Sequence, residues 1–523
     1  MWIRRQTAPL ERGCGGSFSF YRHLIAPFWA GGADETAAAP LHRLCTLARK
    51  MHVRSIVIED ALERPDVAAE IEHLEAWAPV KTGEVTAAAV SFLTRPRGRA
   101  GPPAAEDLIG QAVIITFPVD GGQRSYVHEA VFRLPRSGRR APQPLLNNYV
   151  PVVTAATVEI RGARHDIEAA VFHQQNGVTS VCVHSTVRCL LRNLAHRTVS
   201  TAELNAVWAF AGGRHEVNTV KLKAAFEHYG VRPVPYDLTD KNAPIGHSVE
   251  DTTWRTLTCL AESGTSGVLI FEPVGPASHV VPVLGFTLNT DEWLPQAAPA
   301  YLEGRPQEET SSAWVDHLVV HDDLLGPYYC ISRSGLFERP TGRRATLKPN
   351  AALALLPPAV EVSPVQAEEV AREAFAKIHP ALRRHGFGTG VWWDLLTRDR
   401  ARRVYRTTLV RRDDYIAGLR SAPFRRNAKA DALETLADLE SKIPEQFWLV
   451  ELTLPQLFVG NRAKLGELLI EVAPADDLAA VAGFRLPGVI ASRAAEPNAF
   501  MLSGFPLVRH SAMHAPIYHS NGW

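Results

Sequence analysis

What most constrains this chain is the order of signals in its middle third, where helix patterns come first and compact apolar strands follow. Ser200-Thr201-Ala202-Glu203 is a capping box opening a helix with Leu204, Val207, Trp208 and Ala211 on one face. Asn218 caps a second helix, whose Val220, Leu222, Phe226 and Tyr229 are stopped by Gly230. A strand is expected over 231–236 and a further helix from about 249 to 261. Strand candidates then follow at 267–271, 279–286, 314–321 and 328–332. Helices ahead of antiparallel strands predict an α+β fold.

At 523 residues the chain exceeds a single core. Pro/Arg/Gly-rich interruptions at 95–103, 135–144 and 357–364 divide it. The expected organisation is an α/β domain over 1–150, a central domain over 151–360 and a C-terminal α/β domain over 361–523. The first holds strand candidates at 53–58, 85–93, 112–117 and 126–134, with a helix at 65–76. In the central region, strands at 157–160 and 167–172 flank a turn at Gly162, ahead of the helices. The last region opens on Ser363-Pro364-Val365-Gln366, an N-cap, a proline at N1 and a glutamine at N3, and carries a strand at 447–454. No internal repeat is visible.

Cys182 lies in Gln174-Gln175-Asn176-Gly177-Val178-Thr179-Ser180-Val181-Cys182, where a loop turns into a helix striped by Val183, Val187, Leu190 and Leu191. A thiol in a first helical turn feels the positive end of the dipole, which favours the nucleophilic thiolate. The amide of Cys182 would be one oxyanion donor, and an upstream side-chain amide the second. Gln174, Gln175 and Asn176 qualify, and Gln175 is preferred. Cys189, two turns deeper on the same face, reads as core, and Cys14 has no apolar helix behind it.

His279 opens the apolar strand His279-Val280-Val281-Pro282-Val283-Leu284, so its ring is placed at a sheet rim. The next strand ends in His321-Asp322-Asp323. A carboxylate there is placed to accept the Nδ1 proton of His279, with Asp322 chosen and Asp323 in reserve. An Asp pair before Gly326 also reads as a turn.

Taken together, the run from Gln175 to Val187, the two helices after it, Ser278-His279-Val280-Val281 with Gly285, and His321-Asp322-Asp323 with Gly326 resemble the papain-like cysteine peptidases, most of all the bacteriocin-processing, double-glycine-cleaving branch. The resemblance covers roughly residues 165–335. It implies a papain-like central domain, Cys182 as nucleophile, His279 as general base and acid, Asp322 as orienting residue and Gln175 or Gln174 as oxyanion donor. The chain departs from that pattern in Val183-His184 after the nucleophile, in looser glutamine spacing and in Asp323 where the family has proline.

Other constellations carry less. His317 and His321 lie four apart on an expected strand, about 13 Å along it at ~3.3 Å per residue, too far for one zinc. His510, His514 and His519 are a similarly weak group, so no metal and no cofactor are expected. The arginines between 398 and 412 alternate with Asp399, Asp413 and Asp414 and read as a solvated face. Trp392-Trp393 reads as core or interdomain contact. Near-neutral charge argues against nucleic acid as partner, and no run approaches the roughly 20 apolar residues of a membrane span. The six cysteines are too sparse for a disulfide framework, and the first residues lack a secretory pattern. The expectation is a cytoplasmic bacterial cysteine hydrolase acting on a peptide or protein, with flanking domains for substrate selection or a partner protein. A transglutaminase-like acyl transferase and a non-catalytic protease-fold binding protein are the alternatives.

Overall fold

Apolar runs such as Ala112-Val113-Ile114-Ile115 leave no solvent face, so they form strands covered on both sides, and among the described residues three large sheets result beside two two-stranded ones. The structure, a computed structural model, describes residues 6–9, 29, 38–77, 85–95, 103–119, 122–134, 148–209, 218–238, 249–271, 279–288, 308–337, 349–397, 402–421, 430–458, 463–475, 477–496, 498–504 and 511–514. Cys14, His510, His519, Arg398 and Arg400 fall outside these residues.

The first sheet is an antiparallel meander of β1 (Gln6–Pro9), β2 (Ser55–Asp60), β3 (Thr86–Leu93), β4 (Leu108–Val119) and β5 (Gly122–Phe132). Helices α1 (Ala39–Lys50) and α2 (Pro65–Trp77) belong to the same stretch. β6 (Asn148–Tyr149) leaves for the second sheet, where it pairs with β12 (His279–Leu288). β7 (Thr154–Ile160) and β8 (Ala163–Ala169) form a hairpin on Gly162, and β9 (Val171–Phe172) returns to pair with β5. Strands therefore cross residue 150 in both directions.

Three helices follow: α3 (Cys182–Leu194), α4 (Thr201–Val207) and α5 (Thr219–His228). The capping box at Ser200 and the Asn218 cap are both formed. The second sheet contains β10 (Arg232–Asp237), β11 (Ser266–Phe271), β12, β14 (Val315–Asp322), β15 (Gly326–Ser332) and β16 (Pro349–Leu356), in the order β10-β16-β11-β12-β14-β15. α6 (Val249–Glu262) precedes β11, and β13 (Glu308–Thr310) departs to the third sheet. All second-sheet pairings are antiparallel, and the fold is α+β.

The apolar stripe of α3 decides where the site lies. Val183, Val187, Leu190 and Leu191 share one core with Ile56, Val90 and Phe92 of the first sheet and with Val280, Leu284 and Val319 of the second. Burying each such side chain contributes about 1.5–3 kcal/mol. The helix is thus fixed between two sheets, with its N-terminus beside the strand that starts at His279. Gly285 lets β6 approach β12: a Cβ there would lie 2.0 Å from the Tyr149 carbonyl oxygen.

The third sheet is built on β17 (Arg403–Arg411) and β18 (Gln446–Thr453), and α7 (Pro364–Arg384) packs against it. Phe375, Trp393 and Trp448 share a core with Leu260, Ala354 and Leu356, so Trp393 is core. The expectation of a solvated arginine face fails at Arg406, which is 0% exposed and paired with Glu451 on the neighbouring strand and with Glu262 of α6. β17 is flanked by β13 and β18, so an inward side chain there has no route to water and takes buried partners instead. Among the described residues no helix is long and apolar enough to cross a membrane.

Several histidines are buried as neutral rings. Burial lowers His128 and His184 to about 4, and His321 to about 3. A histidine depressed in the fold contributes stability that is full above its ordinary value of 6.5 and is lost as pH falls through the folded value. Acid unfolding is therefore expected to develop between pH 6.5 and about 3. Neither ring nitrogen of His128 has a hydrogen-bond partner, so His128→Phe should flatten that slope, sparing on the order of 3 kcal/mol below pH 4. Urea melts at pH 7 and pH 4 check this; an unchanged pH 7-to-4 difference contradicts it.

Candidate active site

The loop before α3 is held by one side chain. Asn176 Oδ1 accepts from the backbone N–H groups of Val178, Thr179 and Ser180 at 2.9, 2.8 and 3.0 Å. Its Nδ2 donates to Glu70 Oε1 at 3.1 Å and to Thr179 Oγ1 at 2.8 Å. Glu70, on α2, also accepts from the Tyr126 hydroxyl at 3.1 Å. Burial alone would raise Glu70, yet His128 when protonated, the charge of Arg188 and the Tyr126 hydrogen bond hold it below the usual carboxylate range. The turn also needs Gly177, whose φ is +74°. Asn176 is thereby committed to structure and is not an oxyanion donor.

Two further contacts aim the helix. Nδ1 of His184, at the third helical position, accepts from Val181 N–H at 3.2 Å, and its Nε2–H donates to Asn205 Oδ1 at 2.8 Å. The ring does the work that Glu or Gln does in an ordinary capping box, and burial keeps it neutral. Thr186 Oγ1 donates to the Val280 carbonyl at 3.0 Å, tying α3 to β12 one residue from His279.

Cys182, 9% exposed, opens α3, and its side chain hydrogen-bonds with His279. His279 Nε2 lies 3.1 Å from Asp322 Oδ2. The expected carboxylate contact is present, but through Nε2 instead of Nδ1, which leaves Nδ1 for the thiol. Asp322 serves the turn as well, since its Oδ1 accepts from Leu324 N–H at 2.9 Å and Leu325 N–H at 3.0 Å. One carboxylate thus meets both the turn and the ring. Gly326 completes the hairpin at φ +113°, and a Cβ there would lie 2.5 Å from Arg43 Cβ.

Burial would lower His279, but the hydrogen bonds to Asp322 and Cys182 and the charges of Asp322 and Asp323 outweigh it and raise the ring to about 11. At neutral pH it is an imidazolium, a cation beside the Cys182 side chain. The protein holds its own control. Cys189 Sγ lies 3.6 Å from His321 Nδ1, yet burial pushes that thiol up to about 12 and that ring down to about 3. Burial keeps that pair neutral.

The two glutamines differ. Gln174 is buried, and its Oε1 accepts from Val127 N–H at 2.9 Å while its own N–H donates to the Val127 carbonyl at 3.0 Å. Gln175 is half-buried. His317 meets Thr287 and Asp316 whereas His321 meets Cys189, so the two rings have separate partners. The contributions of Glu70, Asn176 and His184 to holding the loop were missed in the sequence; the available signal was an Asn directly before a left-handed glycine.

Comparisons with family models, with curated proteins and with solved structures give no match to this chain.

Proposed function

We propose that the protein is a cysteine hydrolase, a peptidase of papain-like organisation, working through Cys182, His279 and Asp322. The observation that supports it is the Cys182–His279–Asp322 chain of hydrogen bonds at the N-terminus of a helix packed against the sheet that carries the other two residues. The thiolate attacks an amide carbonyl, and a tetrahedral oxyanion forms facing the first turn of α3. The imidazolium gives its proton to the leaving amine as the C–N bond breaks, leaving a thioester. Water then attacks the thioester, its proton passes to His279, and the acid leaves as the thiolate returns. Gln174, with its carbonyl pinned to Val127, is the better-organised of the two candidate oxyanion donors.

The test is cleavage of a peptide library by the full chain, read by mass spectrometry, with Cys182→Ala as the blank. Cleavage that disappears in the blank supports the reading; none above the blank contradicts it. Product carrying an added amine when one is supplied marks an acyl transferase instead. Asp322→Asn keeps the turn acceptor but removes the charge behind the ring, so kcat is expected to fall roughly hundredfold or more with KM little changed. A loss confined to KM would show that Asp322 does not orient the base.

A further inference from the structure

The backbone amide just before Cys182 fixes the protons along a chain of side chains that ends at His73. Val181 N–H can only donate, so His184 Nδ1, 3.2 Å away, carries no proton. Burial keeps that ring neutral, so its proton sits on Nε2 and is donated to Asn205 Oδ1 at 2.8 Å. The amide nitrogen of Asn205, on α4, then faces His73 Nε2 at 2.9 Å and the Thr179 carbonyl at 3.3 Å. His73 Nε2 must therefore accept, and a neutral His73 holds its proton on Nδ1. His184 and Asn205 are buried, whereas His73, on α2, is only half-buried.

A proton added at His73 Nε2 cannot stay local. It would set two N–H groups face to face across 2.9 Å. Turning the Asn205 amide relieves that contact, but presents N–H to His184 Nε2 and takes the donor from Thr179. The His184 proton would then have to sit on Nδ1, where Val181 N–H already points. Burial opposes a cation at both rings and Glu70 favours one at each, while Arg188 and His73 itself disfavour one at His184. We propose that His73 and Asn205 are positioning residues for Cys182: the protonation of His73, passed through Asn205 to His184, uncaps the first turn of α3. The cysteine-hydrolase reading gives this chain its purpose, yet its protons are observable without turnover.

The test uses the full chain carrying ¹⁵N in its histidine rings, titrated from pH 7.5 to 4.5, above the values of His128 and His184. Resonances are assigned with His73→Gln and His184→Gln. At pH 7.5 His184 should be protonated on Nε2 and His73 on Nδ1, and the His184 nitrogens should shift at the pH where His73 titrates. In His73→Gln, whose Oε1 accepts at every pH, that shift should vanish. Iodoacetamide should then modify Cys182 equally fast in parent and His73→Gln at pH 7.5, but roughly threefold or more faster in His73→Gln at pH 5. His184 nitrogens that stay still while His73 titrates, or a rate ratio that is the same at both pH values, would overturn the proposal. Absent peptide cleavage, with these shifts present, would instead count against the hydrolase reading alone.

Discussion

Cys182→Ala is expected to leave no measurable turnover while melting close to the parent protein, and His279→Ala to lower kcat by roughly 10²–10⁴. The two losses differ in cause. Alanine at 182 removes the nucleophile from an otherwise intact first turn, whose position is set by Asn176, His184 and Thr186. Alanine at 279 keeps the sulfur but removes the proton donor for the leaving amine and the cation that favours thiolate. It also strips Asp322 Oδ2 and Asp323 of the charge they face. A modest loss of stability should therefore accompany His279→Ala and be absent from Cys182→Ala. Steady-state rates on a cleavable peptide, with melting curves for each variant, check both. Equal rates for parent and Cys182→Ala would remove this cysteine from the chemistry.

The second large effect is expected far from the reacting atoms. Asn176→Ala removes the acceptor of three backbone N–H groups and the donor to Glu70. With each lost hydrogen bond worth about 1 kcal/mol net, the protein should lose about 2–4 kcal/mol. The released turn leads directly into the first turn of α3, so the sulfur loses its fixed position. Displacement on the order of 1 Å is enough to cost roughly a hundredfold in rate. The expected result is a lower melting temperature together with a fall in kcat/KM that moderate cooling does not restore. A destabilised variant with parental kcat/KM would show that the turn shapes the fold alone.

That Cys182, His279 and Asp322 come together could be read from local pattern. Cys182 announced itself by a loop running into an apolar helical stripe, His279 by opening an apolar strand, and Asp322 by closing the next. Each signal depends on a residue's immediate neighbours, and the α+β order likewise depends on local periodicity. What escaped depends on partners distant in the chain. Glu70 and Asn176 are 106 positions apart, and nothing in the periodicity of either segment links them. Arg406 sits among alternating charges that resemble a wetted face, yet Glu451 and Glu262 enclose it only once the sheet is assembled. Which ring nitrogen of His279 meets Asp322 is decided across 43 positions of chain, which residue order does not specify. The strand exchange of β6 and β9 escaped for the same reason, two-residue strands being too short to carry a pattern.

The central claim is that the His279 cation makes Cys182 reactive, and alkylation rates at pH 6.5 in EDTA test it most directly. Ordinary thiols, with values near 8.5, are then about 99% protonated and slow. Peptide mapping after brief iodoacetamide treatment should find Cys182 modified well ahead of the half-buried Cys330, and His279→Ala should slow Cys182 at least tenfold while leaving Cys330 unchanged. Cys182 reacting no faster than Cys330, or equally fast with and without His279, would contradict the account.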